Sequence, residues 1–298
     1  MPIGYQVQPS GWLDRGYRAA SRWLSRLPSR ADALAPPEAL AGFRRAQRIA
    51  YHCVTTVAAQ LHEGMREVEA AELLAQHLED QGVTRYLHRP FAWFGEHARF
   101  DGYQRYADYH PSERRLAAGD CAILDVSPMV DGYIGDVGYA CALGPHDELA
   151  RAMDFLRGLR ARIPALFMSG LKSDAIWAEV DRQISAAGFD NVHAKYPFCV
   201  LGHRVYRVKP RQGTPLRIGR GSYLGWFSLQ ANWAFLRHGG ASQVLSPEHQ
   251  GRQLGLWAIE PHIGFAGGGA KFEEILVVEP NRAYWLDDSV PHVAAPTW

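Results

Sequence analysis

The sequence predicts an α+β fold in which helices mix with antiparallel hairpins. Apolar residues recur with a helical period early in the chain and again near its middle. Two pairs of acidic residues lie at the spacings that antiparallel hairpins produce. The helical and strand-like segments follow no strict βαβ rhythm, which argues against a doubly wound sheet.

Composition limits the classes of protein to consider. The 298 residues are 47% hydrophobic, enough to build one large domain or two modest ones. A formal net charge of +1 gives no sign of a nucleic-acid partner. The four cysteines show no C-x-x-C spacing, which favours a reducing cytoplasm over a disulfide framework. We expect no membrane partner, since no segment approaches the ~20 apolar residues that cross a bilayer and no secretory signal is evident.

The N-terminal part of the chain differs from the rest. We predict an arm over residues 1–35 and one domain over residues 36–298, with Pro36-Pro37 at the boundary. Residues 17–30 are basic and partly amphipathic, which is typical of a surface helix that packs on the domain or on a second subunit. A homodimer formed through this arm is therefore one expectation.

Helices and strands are predicted in turn along the domain from their periodicity and their end signals. The predicted helices are 38–63, ended by Gly64; 66–81, closed by Gly82; 147–168, bent or ended near Pro164; and 174–187, capped by Ser173. The predicted strands are Leu87–Trp93, Cys121–Ser127, Ile134–Leu143, 256–262 and 272–279, with strand-like sequence from residue 192 onward. The aromatic stretch 223–238 is a further candidate helix.

The first acidic pair is Asp125 and Asp136. Residues opposite each other in an antiparallel hairpin have numbers with a constant sum, so these two would face each other about a turn near Val130-Asp131-Gly132. Asp-Gly is a strong turn signal. We therefore predict that both carboxylates lie on one face of the hairpin.

The second acidic pair, Glu260 and Glu273, repeats this arrangement about the glycine-rich turn 266–269. Like charges that face each other in apolar surroundings destabilise a sheet unless a cation neutralises them. A pair of divalent metal ions is the chemistry that fits four such carboxylates best. His203, in a strand-like segment, is the candidate fifth ligand.

These segments resemble the family that contains methionine aminopeptidase, aminopeptidase P, prolidase and creatinase, over about residues 38–298. The family's ligands occur in the order Asp, Asp, His, Glu, Glu, which Asp125, Asp136, His203, Glu260 and Glu273 match in turn. The resemblance implies the pita-bread fold, a curved antiparallel sheet flanked by helices, with two divalent metal ions.

The resemblance also implies a role for each ligand. Asp136 and Glu273 would bind both metals, Asp125 would complete one site, and His203 with Glu260 would complete the other. Glu260 would also shuttle protons between nucleophile and leaving group. Ligation by oxygen and one imidazole does not distinguish Mn²⁺, Fe²⁺, Co²⁺ and Zn²⁺. Two metals ~3.5–4 Å apart would share a water and make hydroxide at neutral pH.

The sequence departs from the peptidases at two further histidines. One belongs near Asp108, and His110 is displaced from that place by two residues, with His97 as the alternative. The other belongs where this chain has Pro210. We therefore predict a catalytic role for His110 and substrate binding by His97 and Lys271.

The interval between His203 and Glu260 admits two interpretations. It is either a solvated loop followed by a packed helix, or a lid that recognises a carboxylate-bearing substrate. Its basic residues are Arg207, Lys209, Arg211, Arg217 and Arg220. His238 and His262 are candidates to replace the missing histidine in space.

Three functions follow from the resemblance. The first is a cytoplasmic dinuclear metal-dependent hydrolase, similar to Xaa-Pro aminopeptidases and dipeptidases, that acts on a small peptide-like or amino-acid-derived substrate. The altered histidines leave open a second, non-peptide reaction on the same scaffold, such as C–N hydrolysis of the creatinase kind. A non-catalytic binding module is the third, but such modules generally lose ligands and all five are present here.

Overall fold

Antiparallel strands with helices packed around them make up the fold, as the sequence predicts. The structure is a computed structural model that describes residues 12–103, 105–208, 223–224, 227–238 and 243–294. The predicted basic residues Lys209, Arg211, Arg217 and Arg220, and also Pro210, lie outside these ranges.

The described residues form seven α-helices and fifteen short strands. The helices are α1 Trp12–Ser25, α2 Pro37–Ala58, α3 Glu67–Asp80, α4 Asp147–Met168, α5 Ser173–Ala186, α6 Leu229–His238 and α7 Pro291–Ala294. The strands are β1 Phe91–Phe94, β2 Cys121–Val126, β3 Met129–Val130, β4 Tyr133–Ile134, β5 Val137–Ala142, β6 Asp190–Asn191, β7 Gly202–Val205, β8 Tyr223–Leu224, β9 Phe227–Ser228, β10 Val244–Leu245, β11 Gly255–Ile259, β12 His262–Phe265, β13 Gly268–Lys271, β14 Glu274–Val278 and β15 Ala283–Trp285.

Two helix ends differ from the prediction. Helix α2 ends at Ala58 rather than at residue 63, whereas α4 runs through Pro164 to Met168, over the predicted range. Ser173 is the first residue of α5 rather than its cap, because the extended Lys172 precedes the helix. The aromatic stretch 223–238 is helical only in its second half, where α6 forms after the short β8–β9 pair.

The strands form antiparallel sheets of two to five members. The three-stranded sheet has the order β1-β2-β5, and the five-stranded sheet has the order β10-β7-β11-β14-β15. Strands β13-β12-β6 form a second three-stranded sheet. A bridge between Tyr139 and Phe272 links the first sheet to the chain that enters β14, so the two large sheets meet beside residues 271–273.

Helix α1 packs on the domain, as one of the two readings of the arm predicts. Arg18 and Arg22 both bind Glu248, at 2.9 and 2.5 Å. Glu248 is buried, and a buried carboxylate needs such partners. The predicted boundary near residue 35 stays a prediction.

Helices α2 and α3 pack against one face of β2, and α4 and α5 belong to the core on its other face.

Within the described residues, no helix is long and apolar enough to cross a membrane. All four cysteines are free thiols.

Candidate metal centre

Because side chains alternate in direction along strand β2, the side chain of Asp125 points into the protein interior. Ala122 and Leu124 face the core formed with α2 and α3, whereas Ile123 faces the larger core formed with α4 and α5. Side chains two positions apart lie on the same face of a strand, so Asp125 shares the side of Ile123. Gly138 lies opposite Asp125 on β5 and leaves space above the carboxylate.

The predicted register of the first acidic pair is wrong by two residues. Asp125 pairs with Gly138, and Asp136 lies just before β5. The cause is the turn, in which Asp131 and Gly132 both adopt positive φ, at 51° and 83°, and form a two-residue loop between paired β3 and β4. Asp136 is therefore a diagonal neighbour of Asp125 on the same face, still within interacting distance.

The predicted register of the second acidic pair is confirmed. Ile259 pairs with Glu274 on one side, and His262 pairs with Lys271 on the other. Glu260 and Glu273 lie between these two ladders in the same register. Their carboxylates therefore face each other where β11 and β14 give way to β12 and β13.

All five residues predicted as ligands line one cavity. Asp136, His203 and Glu273 each offer an atom within 4.8 Å of the others. His203 Nε2 lies 3.1 Å from Asp136 Oδ2 and 3.6 Å from Glu273 Oε1. The structure thus brings together residues that the sequence separates by up to 148 positions.

Lys271, which is predicted to bind substrate, lines the same cavity. Its side chain is buried, and its Nζ donates to Asp125 Oδ2 at 2.6 Å, to Glu273 Oε2 at 3.0 Å and to Glu260 Oε2 at 3.2 Å. The aliphatic part of Lys271 packs against Gly138, which has no side chain; a Cβ there would lie 2.4 Å from Lys271 Cε. Lys271 is a fixed positive charge inside the carboxylate cluster.

His88 also belongs to this centre, although the sequence analysis did not single it out. Its Nε2 lies 3.3 Å from Asp125 Oδ1 and 3.2 Å from Asp136 Oδ1. These three residues form a second group whose ligand atoms lie within 4.8 Å of one another. No motif surrounds His88 in the sequence, so spacing alone gave no signal for it.

Burial and the crowding of charges shift the pKa values of the carboxylates in opposite directions. Burial raises the pKa of Asp125, against the opposing charges of Lys271 and His88. Burial and the neighbouring charge of Glu273 raise the pKa of Glu260 to about 8. Burial would also raise the pKa of Asp136, but hydrogen bonds with His203 and His88 outweigh it and hold that pKa well below its usual range.

The basic groups respond in the complementary way. Burial alone would lower the pKa of His88, but its bond with Asp136 and the nearby carboxylate charges raise it to about 9. The same balance raises the pKa values of His203 and Lys271 well above their ordinary values. The four buried carboxylates therefore stabilise the charged forms of His88, His203 and Lys271, which is the behaviour expected of a cation-binding site.

The two predicted accessory histidines are not brought to this cluster. His97 Nδ1 lies 2.7 Å from the carboxylate of the buried Glu67, and its Nε2 is 3.1 Å from the Asp108 carbonyl oxygen. Both ring nitrogens of His97 thus hold the loop before β2 in place, and substrate binding by His97 stays a prediction. His110 packs on Phe91 at 5.8 Å between ring centroids and is not among the residues that line the cavity.

Eight aromatic residues help to line the cavity that contains these carboxylates, which has a volume of about 210 Å³. The aromatic lining residues are Phe91, Trp93, Tyr106, Tyr196, Phe198, Tyr206, Phe227 and Phe235. The hydroxyl of Tyr196 lies 2.8 Å from Nδ1 of the buried His262, one of the histidines considered as a replacement. The other, His238, stacks on Tyr206 at 3.8 Å and is not among the lining residues.

The donor atoms fit divalent metal ions. Asp136 belongs to both three-residue groups and directs one oxygen to each histidine. Asp125 Oδ1 is buried and has no hydrogen-bond partner among the described residues, a costly state that a bound cation would relieve. Carboxylate oxygen with imidazole nitrogen is the ligand set of Mn²⁺, Fe²⁺, Co²⁺ and Zn²⁺ sites.

Comparison with known proteins agrees with this geometry. The sequence model of metallopeptidase family M24 matches residues 41–280. A search of curated proteins finds no significant match.

Several solved structures have a similar fold at low sequence identity. An X-Pro aminopeptidase from Thermotoga maritima aligns over 92% of this chain and 64% of its own, with a TM-score of 0.61 and 14% identity. A dipeptidase from Pyrococcus horikoshii aligns over 85% of this chain and 61% of its own, with a TM-score of 0.61 and 19% identity. A prolidase from Pyrococcus furiosus aligns over 86% of this chain and 65% of its own, with a TM-score of 0.60 and 17% identity. The chain thus spans less than two thirds of the length of these proteins.

Proposed function

The chain belongs to metallopeptidase family M24 and has its pita-bread fold, and on that premise we propose that it is a dinuclear metal-dependent hydrolase. We propose that it cleaves the amide bond of a small peptide-like substrate that carries an apolar side chain. The observation that carries the proposal is the pair of donor groups that share Asp136. Two such groups side by side are what a dinuclear centre needs.

The residues divide between two metal positions in this proposal. Asp136 and Glu273 would hold both ions, Asp125 would complete one position, and His203 with Glu260 would complete the other. When bound, the ions supply the positive charge that activates a water molecule at neutral pH.

Glu260 is the residue that we propose moves protons. It is 8% exposed, whereas Asp125, Asp136 and Glu273 are 1–3% exposed, so it is the cluster carboxylate that most faces the cavity. Its Oε2 accepts a 3.2 Å hydrogen bond from Lys271, which holds the carboxylate in place. A general acid or base needs such a fixed position within reach of substrate.

The cavity wall supports the choice of substrate. Pockets with apolar walls and few convergent polar groups bind ligands with a matching apolar part. Phe91 and Trp93 stack at 5.1 Å on one side, and α6 contributes Phe235 to the lining. A substrate with an aliphatic or aromatic residue beside the scissile amide fits this cavity.

A second candidate function is hydrolysis of a non-peptide C–N bond on the same centre. It is favoured because His110 is not among the residues that line the cavity, although the resemblance implies a histidine there. Cytoplasmic location and a homodimer stay predictions; the free thiols support the former.

The test is metal content together with substrate turnover. Purified protein loaded separately with Mn²⁺, Co²⁺ or Zn²⁺ is assayed on Leu-Pro, Phe-Pro, Gly-Pro and creatine. We expect turnover of the dipeptides with Leu or Phe, and loss of metal and activity in Asp136→Ala and Glu273→Ala. Glu72→Gln, at an exposed position of α3, is the control. Unchanged metal content in both alanine variants would refute the metal centre, and turnover of creatine alone would favour the second candidate.

A further inference from the structure

His88 is placed in the centre in the manner of a metal ligand. Its Nε2 lies between two carboxylate oxygens, 3.3 Å from Asp125 Oδ1 and 3.2 Å from Asp136 Oδ1. The ring is buried and stacks on Phe91 at 5.1 Å between centroids. The side chain is therefore held in one orientation before any ion binds.

The outer nitrogen of His88 fixes the form of the ring. Nδ1 lies 2.7 Å from the backbone carbonyl oxygen of Arg89. A carbonyl oxygen only accepts hydrogen bonds, so Nδ1 carries the hydrogen and donates it. In the neutral ring, the lone pair of Nε2 then faces the carboxylates, which is how metal-binding histidines are commonly oriented.

His203 is arranged in the same way on the other side of Asp136. Its Nδ1 lies 3.2 Å from the carbonyl oxygen of Arg204, the residue that follows it, and its Nε2 lies 3.1 Å from Asp136 Oδ2. Each histidine thus contacts the carbonyl oxygen of the following residue through Nδ1 and one oxygen of Asp136 through Nε2. The shared carboxylate has one imidazole on each side.

The Asp125 oxygen that faces His88 is also suited to bind a cation. Asp125 Oδ1 is buried and has no hydrogen-bond partner in the described part of the chain. A buried carboxylate oxygen beside an imidazole nitrogen is satisfied when both bind one cation.

We propose that His88 is a sixth protein ligand, which binds the metal ion held by Asp125 and Asp136. This rests on the proposed dinuclear centre and adds a second imidazole to it. Each metal position then has one nitrogen donor. Imidazole suits Zn²⁺, Fe²⁺ and other later metals, whereas a ligand set of oxygen alone suits Mn²⁺. The imidazole of His88 therefore adds more affinity for Co²⁺ and Zn²⁺ than for Mn²⁺.

The direct test is proton NMR of the Co²⁺-loaded protein. A histidine bound to Co²⁺ through Nε2 shows a strongly shifted, solvent-exchangeable Nδ1 proton. We expect two such signals in the unaltered protein, one in His88→Gln and two in His110→Ala. His110 is the matched control, because it packs on the same Phe91 ring without lining the carboxylate cavity.

Calorimetric titration supplies the second readout. We expect His88→Gln to keep one metal position and to weaken the other by at least about tenfold for Zn²⁺, with a smaller change for Mn²⁺. Circular dichroism of the metal-free variants establishes that they are folded.

Three outcomes overturn the proposal. A single exchangeable signal that His88→Gln leaves in place would show that His88 is only a charged neighbour of the carboxylates. Unchanged Zn²⁺ affinity at both positions would show the same, and in both cases the dinuclear centre would stand. No metal binding by the unaltered protein would overturn the proposed function together with this inference.

Discussion

At the scale of single residues, Lys271 lies where it would compete with bound metal ions for the same carboxylates. Its ammonium lies 2.6–3.2 Å from oxygens of Asp125, Glu260 and Glu273. Without metal it stabilises the cluster, because it is a positive charge beside buried negative ones. With metal it repels the ions, because like charges this close interact strongly in a buried site.

Replacing Lys271 should therefore destabilise the metal-free protein and strengthen its metal binding. We expect Lys271→Met to lower the melting temperature of the EDTA-treated protein and to tighten metal binding at least about tenfold, or about 1.4 kcal/mol. Differential scanning calorimetry and metal titration measure the two effects. Lys195→Met, which removes the partly exposed lysine beside Asp101, is the control and should leave metal affinity unchanged. Loss of metal binding in Lys271→Met would contradict this account.

Lys271 and His88 show which features of the centre could be predicted from the sequence and which could not. The inward direction of Lys271 was available in principle, because it lies two positions before Glu273 and alternate residues share a face. His88 was not available, because its contact with Asp136 depends on how β1 pairs with β2, where Phe91 lies opposite Asp125. Pairing between distant strands leaves little trace in the spacing of a single chain.

At the scale of secondary-structure elements, helix α2 fixes the position of the first hairpin. Gly135 lies against the backbone of Ala46, and a Cβ at Gly135 would be 2.3 Å from that residue's carbonyl carbon and oxygen. Asp136 follows directly. The close approach of helix and strand thus sets the position of the shared carboxylate.

A methyl group at Gly135 should disturb both packing and the centre. Because the obstacle is helix backbone, it cannot move aside as a side chain would. We expect Gly135→Ala to lower the free energy of unfolding by about 1–3 kcal/mol and to weaken metal binding. Urea unfolding and metal titration measure these effects. Gly16→Ala, on α1 where a Cβ meets no atom within 4 Å, should be neutral or stabilising by up to about 1 kcal/mol. Unaltered metal affinity in Gly135→Ala would show that α2 does not position Asp136.

Turn chemistry explains why the two hairpins were predicted unequally well. In the second hairpin, Phe265 pairs with Gly268 about a two-residue turn, and the predicted register is kept from there to the end of β14. In the first, the Asp131-Gly132 turn was recognised but centred one residue too early, which shifts the whole ladder by two. The face of each acid survives such a shift, because an even displacement keeps side chains on the same side.

At the scale of the whole molecule, a buried histidine links folding to pH. His193 is fully buried beside Trp177, and burial lowers its pKa from 6.5 to about 3. The unfolded chain therefore binds a proton between about pH 6.5 and 3 that the folded chain does not. Stability is present above pH 6.5 and is lost as the pH falls through this window.

Substitution of His193 should make the loss of stability with falling pH less steep. We expect the free energy of unfolding of His193→Phe to fall less steeply from pH 6.5 to 4 than that of the unaltered protein, whatever its absolute stability. Chemical denaturation at a series of pH values measures the slope. His62→Gln, at an exposed position, should keep the original slope. An unchanged slope in His193→Phe would show that His193 does not contribute to this pH dependence.

The central claim is that the buried carboxylates on the first and second hairpins exist to hold two metal ions. Anomalous diffraction from crystals grown with Zn²⁺ or Mn²⁺ tests it most directly. We predict two anomalous peaks, one beside Asp125, Asp136 and His88, and one beside Asp136, His203 and Glu273. Density for the Lys271 ammonium alone among these side chains, with no anomalous peak, would contradict the account.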